Sequence, residues 1–490
     1  MRDRAACGIY TFLALAAVAV PPALDSSGLP TVRSSYGDGF RIFEIFGFSA
    51  TIALAVVVWR ELAKRRGSGL AGALPVIAFA VVAMSLLMLV CEYTQKFSDY
   101  ECYEEAAKMI EAGRSPYLAH GYIYPPPVAD GLALAHQTVM NLAGLKSADA
   151  RGWHLVFYLW QCAQFFLAIL AYLLCVRFAR VLGARGFAGI ALVAVVFLFN
   201  GPLVRTFRLN QPNLWMFDAI LFALVFGARY AGTAGSLLGF AATIKLYPLA
   251  MLLPIALAKR WRMLAGLVAV VVVVVLVEPW LSMCPRAWER YVTYGHVFPA
   301  GNYFRDNGLH SIAERTVWLV GMAFDTPRRT QWLVTTVLWR CAVAAAAIFI
   351  GLRIVRREQA FAALPKQEKA SDTATMLRFT GQVVDTFAFA LMASPIAWEH
   401  HYLLAVPMVL WAMVTQRSRR PWLIWLGSAL MLLPPSFEIY PFGYHRIAGL
   451  VMVLIGTSPR IDLAEYERNV DAWRVLATRA DGGTETVLRR

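Results

Sequence analysis

The sequence predicts an all-α protein that crosses a membrane many times. Of its 490 residues, 59% are hydrophobic and only 16% are charged, and the mean hydropathy is +0.55. A soluble domain has about 45–50% apolar and about 25% charged residues, so this chain has too little polar surface to remain in water. At about 20 residues per crossing, its apolar residues suffice for roughly a dozen helices.

Apolar runs bounded by charged or turn residues predict about fourteen spans. The runs beside Asn200 and Lys245 are too short for straight crossings, so we expect bent or re-entrant segments there. The first run resembles a signal peptide, but so many spans follow it that we interpret it as a retained helix. The predicted spans are 7–24, 42–59, 70–91, 153–176, 187–200, 213–228, 232–244, 247–258, 263–281, 333–352, 379–394, 402–415, 421–435 and 446–458.

The basic residues predict that both termini lie in the cytoplasm. The chain has 46 Lys and Arg against 31 Asp and Glu, a formal charge of +15. Because the basic residues cluster in loops on one side of the predicted spans, they indicate membrane orientation and not binding to nucleic acid. The clustered positions on the predicted cytoplasmic side are Arg2 and Arg4, Arg60 to Arg66, Arg177 to Arg185, Arg229, Lys259 to Arg262, Arg353 to Arg378 and Arg417 to Arg420.

The same orientation places two long polar loops, 92–152 and 282–332, on the outer face. Any chemistry is expected there, together with the shorter outer turns 200–212, 395–401 and 436–446. The chain is accordingly divided into an N-terminal transmembrane hairpin (1–66), a transmembrane domain that contains both loops (67–458) and a cytoplasmic tail (459–490).

The first outer loop has helical periodicity. Apolar residues recur at helical spacing from Tyr100 to Ile110, and acidic residues occupy the other face. Gly113 and Pro116 end this predicted amphipathic helix. The apolar stretch 128–145 could cross the membrane, but a crossing would place the cluster Arg177 to Arg185 outside, so we expect a helix at the membrane interface. The loop is interpreted either as a lip where a lipid-borne substrate enters or as a plain spacer.

Asp99 is the candidate catalytic carboxylate. It follows the third predicted span, in the segment Phe97-Ser98-Asp99-Tyr100 at the membrane boundary. Shielding by aromatic side chains raises the pKa of a carboxylate, which suits a base that takes a proton from a hydroxyl. The alternative role is the N-cap of the helix that begins at Tyr100.

A short outer turn combines basic and amide side chains. Arg205 and Arg208 precede Asn210, Gln211 and Asn213 within nine residues of each other. Guanidinium and amide groups in this density are suited to hold a phosphate and the hydroxyls of a sugar. The alternative is that the arginines reach toward lipid headgroups.

Lys245 interrupts an apolar segment, and Pro248 favours a helix break just after it. A buried ammonium requires a charged partner or an anionic ligand, so a functional role is favoured.

His400 and His401 follow a later span on the predicted outer side. Adjacent helical residues point about 100° apart, which favours phosphate or sugar contacts over a shared metal. The remaining candidates for sugar or acceptor binding are Tyr124, Glu399 and His310.

The motifs of several other enzyme classes are absent from the sequence. It contains no P-loop, no GxGxxG after a strand, no Asp-x-Asp, no GxSxG and no HExxH. The seven cysteines lack metal-ligand spacing, and Cys102 and Cys284 are either a disulfide or two free thiols. We therefore expect no metal and no cofactor, and a donor that resides in the membrane.

These segments together resemble the integral-membrane GT-C glycosyltransferases, in particular glycosyltransferase family 87. The resemblance runs from about 92 to 412. The family usually has Gly-Gln where this chain has Asn210-Gln211, and the first two spans precede the usual catalytic Asp. The matching motifs are Asp99 with Tyr103 through Ala107, Gly113 through Tyr117, Tyr124 through Pro126, Asn210 through Asn213, Ala241 through Pro248, and Ser394 through His401.

The resemblance implies a GT-C fold of about 12–14 transmembrane helices and an inverting, polyprenyl-phosphate-sugar-dependent hexosyltransferase. It also implies a glycolipid or polysaccharide acceptor, surrounding membrane lipids, and an active site on the outer face of a bacterial inner membrane. Mannose is the expected sugar, with arabinofuranose as the alternative. Asp99 would be the general base, and the donor phosphate would be bound by Lys245, Arg205, Arg208 and one of His400 and His401.

A secondary transporter or lipid flippase is the alternative from another functional class. It also requires about a dozen helices and buried polar groups. Asp218, Glu278, Arg340 and Asp385 fall within apolar runs and support that alternative, whereas the sequence shows no internal repeat. We interpret these four residues as satisfied by neighbouring helices.

Overall fold

The computed structural model confirms the predicted all-α class. Its described part contains α-helices, short 3-10 helices and one isolated β-bridge, between Asp306 and Trp398. The predicted hairpin 1–66 and the first three predicted spans lie outside the described residues. The described residues are 99–144, 151–184, 186–198, 200–294, 306–416, 420–432 and 440–480.

The described residues form eighteen α-helices. In chain order they are α1 (Tyr100–Glu111), α2 (Pro126–Ala143), α3 (Arg151–Val181), α4 (Gly186–Leu198), α5 (Gly201–Arg208), α6 (Asn213–Phe226), α7 (Ala231–Ile244), α8 (Leu252–Leu257), α9 (Trp261–Leu281), α10 (Ala287–Tyr294), α11 (Leu309–Ala323), α12 (Arg328–Ala363), α13 (Lys366–Lys369), α14 (Asp372–Ala393), α15 (Val406–Thr415), α16 (Pro421–Leu432), α17 (His445–Gly456) and α18 (Leu463–Ala480). The 3-10 helices are Pro116–Leu118, Tyr247–Met251, Glu399–Ala405 and Phe442–Tyr444.

Three of the described helices, α3, α9 and α12, are long and apolar enough to cross a membrane. Helices α4 and α5 form a pair bent by 51° that would add a fourth span, which agrees with the break predicted at Asn200. Shorter apolar helices include α6, α7 and α16. These lengths and compositions identify a polytopic membrane protein, while the predicted number of spans stays a prediction.

The chain separates into two compact units. The first unit contains the described residues within 99–174 and 204–294, and the second contains those within 175–203 and 306–480. This division follows packing and does not test the predicted parts 1–66, 67–458 and 459–490, which follow membrane topology.

Helix α1 confirms the amphipathic helix predicted from Tyr100. Gly113, with φ +66°, ends the helix in a conformation that favours glycine, and its N–H donates to the Ile110 carbonyl at 2.9 Å. The buried face packs against α2, the helix predicted over 128–145. The buried residues of α1 are Tyr100, Tyr103, Ala106, Ala107 and Ile110.

Glycines allow α7 and α9 to pack closely in the first unit. A Cβ atom at Gly235 would lie 2.0 Å from the Met263 carbonyl oxygen, so only glycine fits there. Small residues are how helices approach one another in a membrane, where association depends on van der Waals packing. The contact fixes α7, at whose C-terminal end Lys245 lies.

Ion pairs within apolar helices hold part of the second unit. The Asp385 carboxylate accepts from Arg353 Nε at 2.9 Å and from Arg357 Nη1 at 2.5 Å, and all three residues are buried. This confirms that neighbouring helices satisfy Asp385. For the carboxyl oxygens of Asp218, the described residues provide no hydrogen-bond partner.

Candidate functional site

Asp99 lies directly before α1, but its side chain makes no capping hydrogen bond to that helix. Its backbone N–H donates to the Leu209 carbonyl at 3.1 Å, which joins the start of α1 to the segment after α5. Its Oδ2 accepts a hydrogen bond from Gln211 Nε2. The carboxylate therefore contacts the 209–213 segment and does not cap the helix.

Gln211 connects Asp99 to Lys245 through one buried amide. While Nε2 donates to Asp99, Oε1 accepts from Tyr124 OH at 2.5 Å and from Lys245 Nζ at 3.5 Å. The Gln211 carbonyl also accepts from Gln164 Nε2 at 3.0 Å. The structure thus brings together three predicted site residues that lie far apart in the sequence.

Lys245 adopts an extended conformation after the last residue of α7, as the break predicted before Pro248 requires. Its Nζ donates to Asn213 Oδ1 at 3.0 Å and lies 5.2 Å from the centre of the Tyr124 ring. Burial lowers the pKa of Lys245 from 10.5 to about 7, although the Asp99 charge acts in the opposite direction. An incoming anion would stabilise this ammonium.

The predicted turn over 200–212 is wrong, because residues 201–208 form helix α5. Asn200 Oδ1 accepts from the Leu203 N–H at 3.0 Å, and Pro202 occupies the first turn, so both residues initiate a helix. Arg205 and Arg208 lie on its last turn and are buried, with exposed fractions of 8% and 6%.

The two remaining amides of this segment bind protein partners. Asn210 adopts a left-handed conformation with φ 53°, and its Oδ1 accepts from Gln161 Nε2 at 2.7 Å. Asn213 begins α6, and its Nδ2 donates to Thr206 Oγ1 at 3.2 Å. These contacts hold the segment that carries Gln211 in place.

Glu399, His400 and His401 lie in the second unit, on the 3-10 helix Glu399–Ala405, and all three are buried. The two imidazole rings meet edge to face, with centroids 4.4 Å apart. Glu399 Oε1 accepts from Arg446 Nη2 at 2.5 Å. Glu399 Oε2 has no hydrogen-bond partner within the described residues.

His310 lies near the start of α11, where its Nδ1 is 3.9 Å from Glu314 Oε2. Its ring meets that of Trp339 edge to face at 5.0 Å between centroids. These contacts are with α11 and α12, and the sugar-binding role of His310 stays a prediction.

Sequence reasoning missed Arg446 as a site residue. Its guanidinium binds Glu399 and the Met431 carbonyl, and its backbone N–H donates to Asn307 Oδ1 at 3.3 Å. A single arginine between two apolar runs was the available signal, since such a charge needs a partner.

Asp306 was missed as well. Its Oδ1 accepts from the N–H groups of Gly308 at 3.0 Å and Ala397 at 2.8 Å, which ties the segment before α11 to the segment before Glu399. Burial raises the pKa of Asp306 to about 7, and these two N–H groups oppose that rise. No sequence pattern connects two segments that lie 91 positions apart.

Cys102 and Cys284 are free thiols, which decides between the two alternatives left by the sequence. Burial, together with the charge of Asp99, raises the pKa of Cys102 to about 11. Cys102 is therefore a neutral thiol beside the carboxylate.

The cluster in the first unit combines a base with cations. A carboxylate that accepts an amide hydrogen bond can take a proton, and the ammonium on the other side of that amide can bind an anion. This pairing suits attack by a hydroxyl on a carbon whose leaving group is a phosphate.

Comparison with known proteins identifies a relative whose name states an activity. A stretch of 271 residues, 52% of the chain, is 28% identical to a polyprenol-phosphate-mannose-dependent alpha-(1-2)-phosphatidylinositol pentamannoside mannosyltransferase of Mycolicibacterium smegmatis. The match spans 59% of that relative's length. No solved structure matches the chain.

A family model covers half of the chain. Residues 122–367 match Glycosyltransferase family 87, a range that includes Tyr124, the 210–213 segment and Lys245. Asp99 and the 399–401 segment lie outside the matched range. The chain belongs to glycosyltransferase family 87.

Proposed function

We propose that the protein is an inverting glycosyltransferase that uses a polyprenyl-phosphate sugar, with mannose as the expected sugar. The acceptor is a glycolipid or polysaccharide on the outer face of a bacterial inner membrane. The observation that carries this proposal is the Gln211 amide, which binds both Asp99 and Lys245. It keeps a base and a cation close to each other without pairing them.

In the proposed reaction, an acceptor hydroxyl gives its proton to Asp99. The hydroxyl oxygen bonds to the anomeric carbon from the face opposite the phosphate, so the configuration inverts. The bond between that carbon and the phosphate oxygen breaks, and the electron pair leaves with the polyprenyl phosphate. A phosphate leaves without protonation when cations stabilise it, and Lys245, Arg205 and Arg208 are proposed for that role.

The relative supports this choice of donor. Its name describes a polyprenol-phosphate-mannose-dependent phosphatidylinositol pentamannoside mannosyltransferase. Glu399 and His310 are proposed to contact sugar or acceptor hydroxyls, and His400 and His401 to contact the donor phosphate. The oxygen of Glu399 that has no partner within the described residues supports its role. Tyr124 and the amides of the 210–213 segment are proposed to line the sugar site.

The test is transfer of a labelled sugar by the purified full chain in lipid nanodiscs. Radiolabelled polyprenyl-phosphate mannose and polyprenyl-phosphate arabinofuranose are supplied separately, each with phosphatidylinositol mannosides as acceptors. We expect label in the acceptor from the mannose donor. Label from the arabinofuranose donor alone would overturn the choice of sugar, and transfer from neither donor by folded protein would contradict the proposed function.

The outer location of Asp99 is tested separately by thiol labelling in intact spheroplasts. In a cysteine-free background, a cysteine at exposed Glu101 should react with an impermeant maleimide. A cysteine at exposed Lys366, on the predicted cytoplasmic side, should react only after permeabilisation. The reverse pattern would place the proposed base in the cytoplasm and end the proposal.

A further inference from the structure

A directed chain of hydrogen bonds leads to Asp99 from the core of the first unit. Tyr103 OH donates to Tyr124 OH at 3.1 Å, and Tyr124 OH donates to Gln211 Oε1 at 2.5 Å. Gln211 Nε2 then donates to Asp99 Oδ2. Every donor points the same way, and the chain ends on the carboxylate.

The chemistry of the groups determines this direction. Burial raises the pKa of Tyr103 and of Tyr124, so both hydroxyls keep their protons and can donate. Lys245 Nζ, which has only donors, also binds Gln211 Oε1. The amide oxygen must therefore face Tyr124 and Lys245, and the amide nitrogen must face Asp99.

The three side chains that form this hydrogen-bond chain are all buried. Tyr103 is 1% exposed, Tyr124 5% and Gln211 0%. The rings of Tyr103 and Tyr124 meet edge to face at 5.0 Å between centroids, and Trp160 packs on the Tyr103 ring at 6.0 Å. Groups packed this deeply can act on the reaction through Asp99.

We propose that Tyr103, Tyr124 and Gln211 are positioning residues that keep Asp99 ionised and hold it in one orientation. This inference rests on the proposed function, in which Asp99 is the base. A hydrogen bond to the charged form of a carboxyl favours that form, and successive bonds in a low-dielectric interior strengthen one another. Removing any donor should therefore raise the pKa of Asp99.

Other charged or titratable groups surround Asp99, and the test must leave them unchanged. Lys245, Cys102, Tyr103 and Tyr124 interact electrostatically with Asp99. Arg205 and Arg208 lie on α5, directly before the Leu209 carbonyl that binds the Asp99 N–H. The variant Tyr103→Phe removes one neutral hydroxyl three hydrogen bonds from the carboxylate and keeps every cation.

The pH profile of kcat/KM is the first measurement. Asp99 must be ionised on the acidic limb of this profile. That limb should move to higher pH in each variant, and the shift should be smaller when the substituted residue is more hydrogen bonds away from Asp99. At the wild-type midpoint pH, kcat/KM relative to its plateau should fall about tenfold in Gln211→Leu, about threefold in Tyr124→Phe and about twofold in Tyr103→Phe.

Two matched controls separate this effect from a loss of packing. Tyr122 is 4% exposed, and its hydroxyl donates to the Pro125 carbonyl at 2.8 Å, off the chain. Gln164 is 2% exposed, and its Nε2 donates to the backbone carbonyl of Gln211 at 3.0 Å. Tyr122→Phe and Gln164→Leu should leave the acidic midpoint where it is in the wild type.

A second measurement reads the same titration without catalysis. In the wild type and in each variant, the infrared difference between the protein with Asp99 and its Asp99→Asn form follows the Asp99 carboxyl stretch during a pH titration. The midpoint should rise in Tyr103→Phe and stay constant in Tyr122→Phe. Equal midpoints in these two variants would overturn the positioning role of the hydrogen-bond chain. A graded shift of the midpoint without any sugar transfer would support that role and contradict only the proposed function.

Discussion

The two units hold their charged side chains in opposite ways. In the first unit, the Gln211 amide binds Asp99 and Lys245, and among the described residues no ion pair joins these two directly. In the second unit, Glu399 and Arg446 contact each other at 2.5 Å and are almost fully buried. A directly paired charge holds segments together, whereas a charge bound by a neutral amide can still accept a proton or an anion.

The difference shows which charges join segments through a direct ion pair and which leave a carboxylate beside cations. Glu399 and Arg446, with Asp306 and Asn307, tie the segment before α11 to the segment around Glu399 and to the start of α17. Asp99, Gln211 and Lys245 also tie distant segments together, but they leave a base beside cations. Variants that remove one of these contacts test the difference.

The largest expected effect is the loss of sugar transfer in Asp99→Asn. General-base catalysis contributes about 10²–10⁴-fold, so we expect kcat to fall by that factor. The asparagine has the same shape and still offers an oxygen to Gln211, so thermal unfolding should remain as in the wild type. Initial rates of transfer from the labelled donor measure the loss, and a wild-type rate would show that Asp99 is not the base.

The second effect is on stability. Arg446→Met leaves Glu399 buried without its partner, and breaking a buried pair costs about 3–5 kcal/mol. Chemical denaturation in detergent should show this loss. The double variant Glu399→Met with Arg446→Met should recover most of it, because no unpaired charge remains. An Arg446→Met protein as stable as the wild type would contradict the architectural role of the pair.

The third effect separates activity from stability in the first unit. Lys245→Met removes an ammonium whose burial is unfavourable, so the free energy of unfolding should hardly change. Transfer should suffer, because a hydrogen bond to a charged group is worth about 1.5–3 kcal/mol, or about 10–100-fold in kcat/KM. Lys108→Met, which changes an exposed lysine of α1, is the control. Equal activity of both variants would remove Lys245 from the donor site.

The smallest effect is on the pH dependence of donor binding. The pKa of Lys245 is lowered from 10.5 to about 7, so the unliganded protein loses this ammonium as the pH rises through about 7. Donor affinity should therefore weaken between pH 6 and pH 9. Lys245→Arg keeps its charge over this range and should flatten the dependence. Titration of donor binding in nanodiscs measures both, and a flat wild-type profile would contradict the assignment.

Local sequence patterns predicted those features that depend on neighbouring residues. The amphipathic period of α1 and the break at Lys245 follow from the residues within each segment, and both are confirmed. The turn predicted over 200–212 is wrong because a cap at Asn200 and Pro202 start a short helix within a polar segment. Polarity alone does not distinguish a loop from a buried helix end.

Contacts between distant segments were beyond local patterns. Gln211 binds Asp99 across 112 positions, and Arg446 binds Glu399 across 47. The sequence identified Gln211 as a residue with suitable chemistry but not as the link between Asp99 and Lys245, and it missed the pairing of Glu399. Neither periodicity nor composition records which helix ends come together.

By itself, the sequence determined that this chain is a helical membrane protein, because its excess of apolar residues needs lipid and lipid requires the backbone to satisfy its own hydrogen bonds. It also supplied the carboxylate and cations that resemble those of a sugar-transferring family. Tertiary structure alone decided which charges are paired and which are bridged by an amide. Those choices depend on angstrom-scale packing between segments that are remote along the chain.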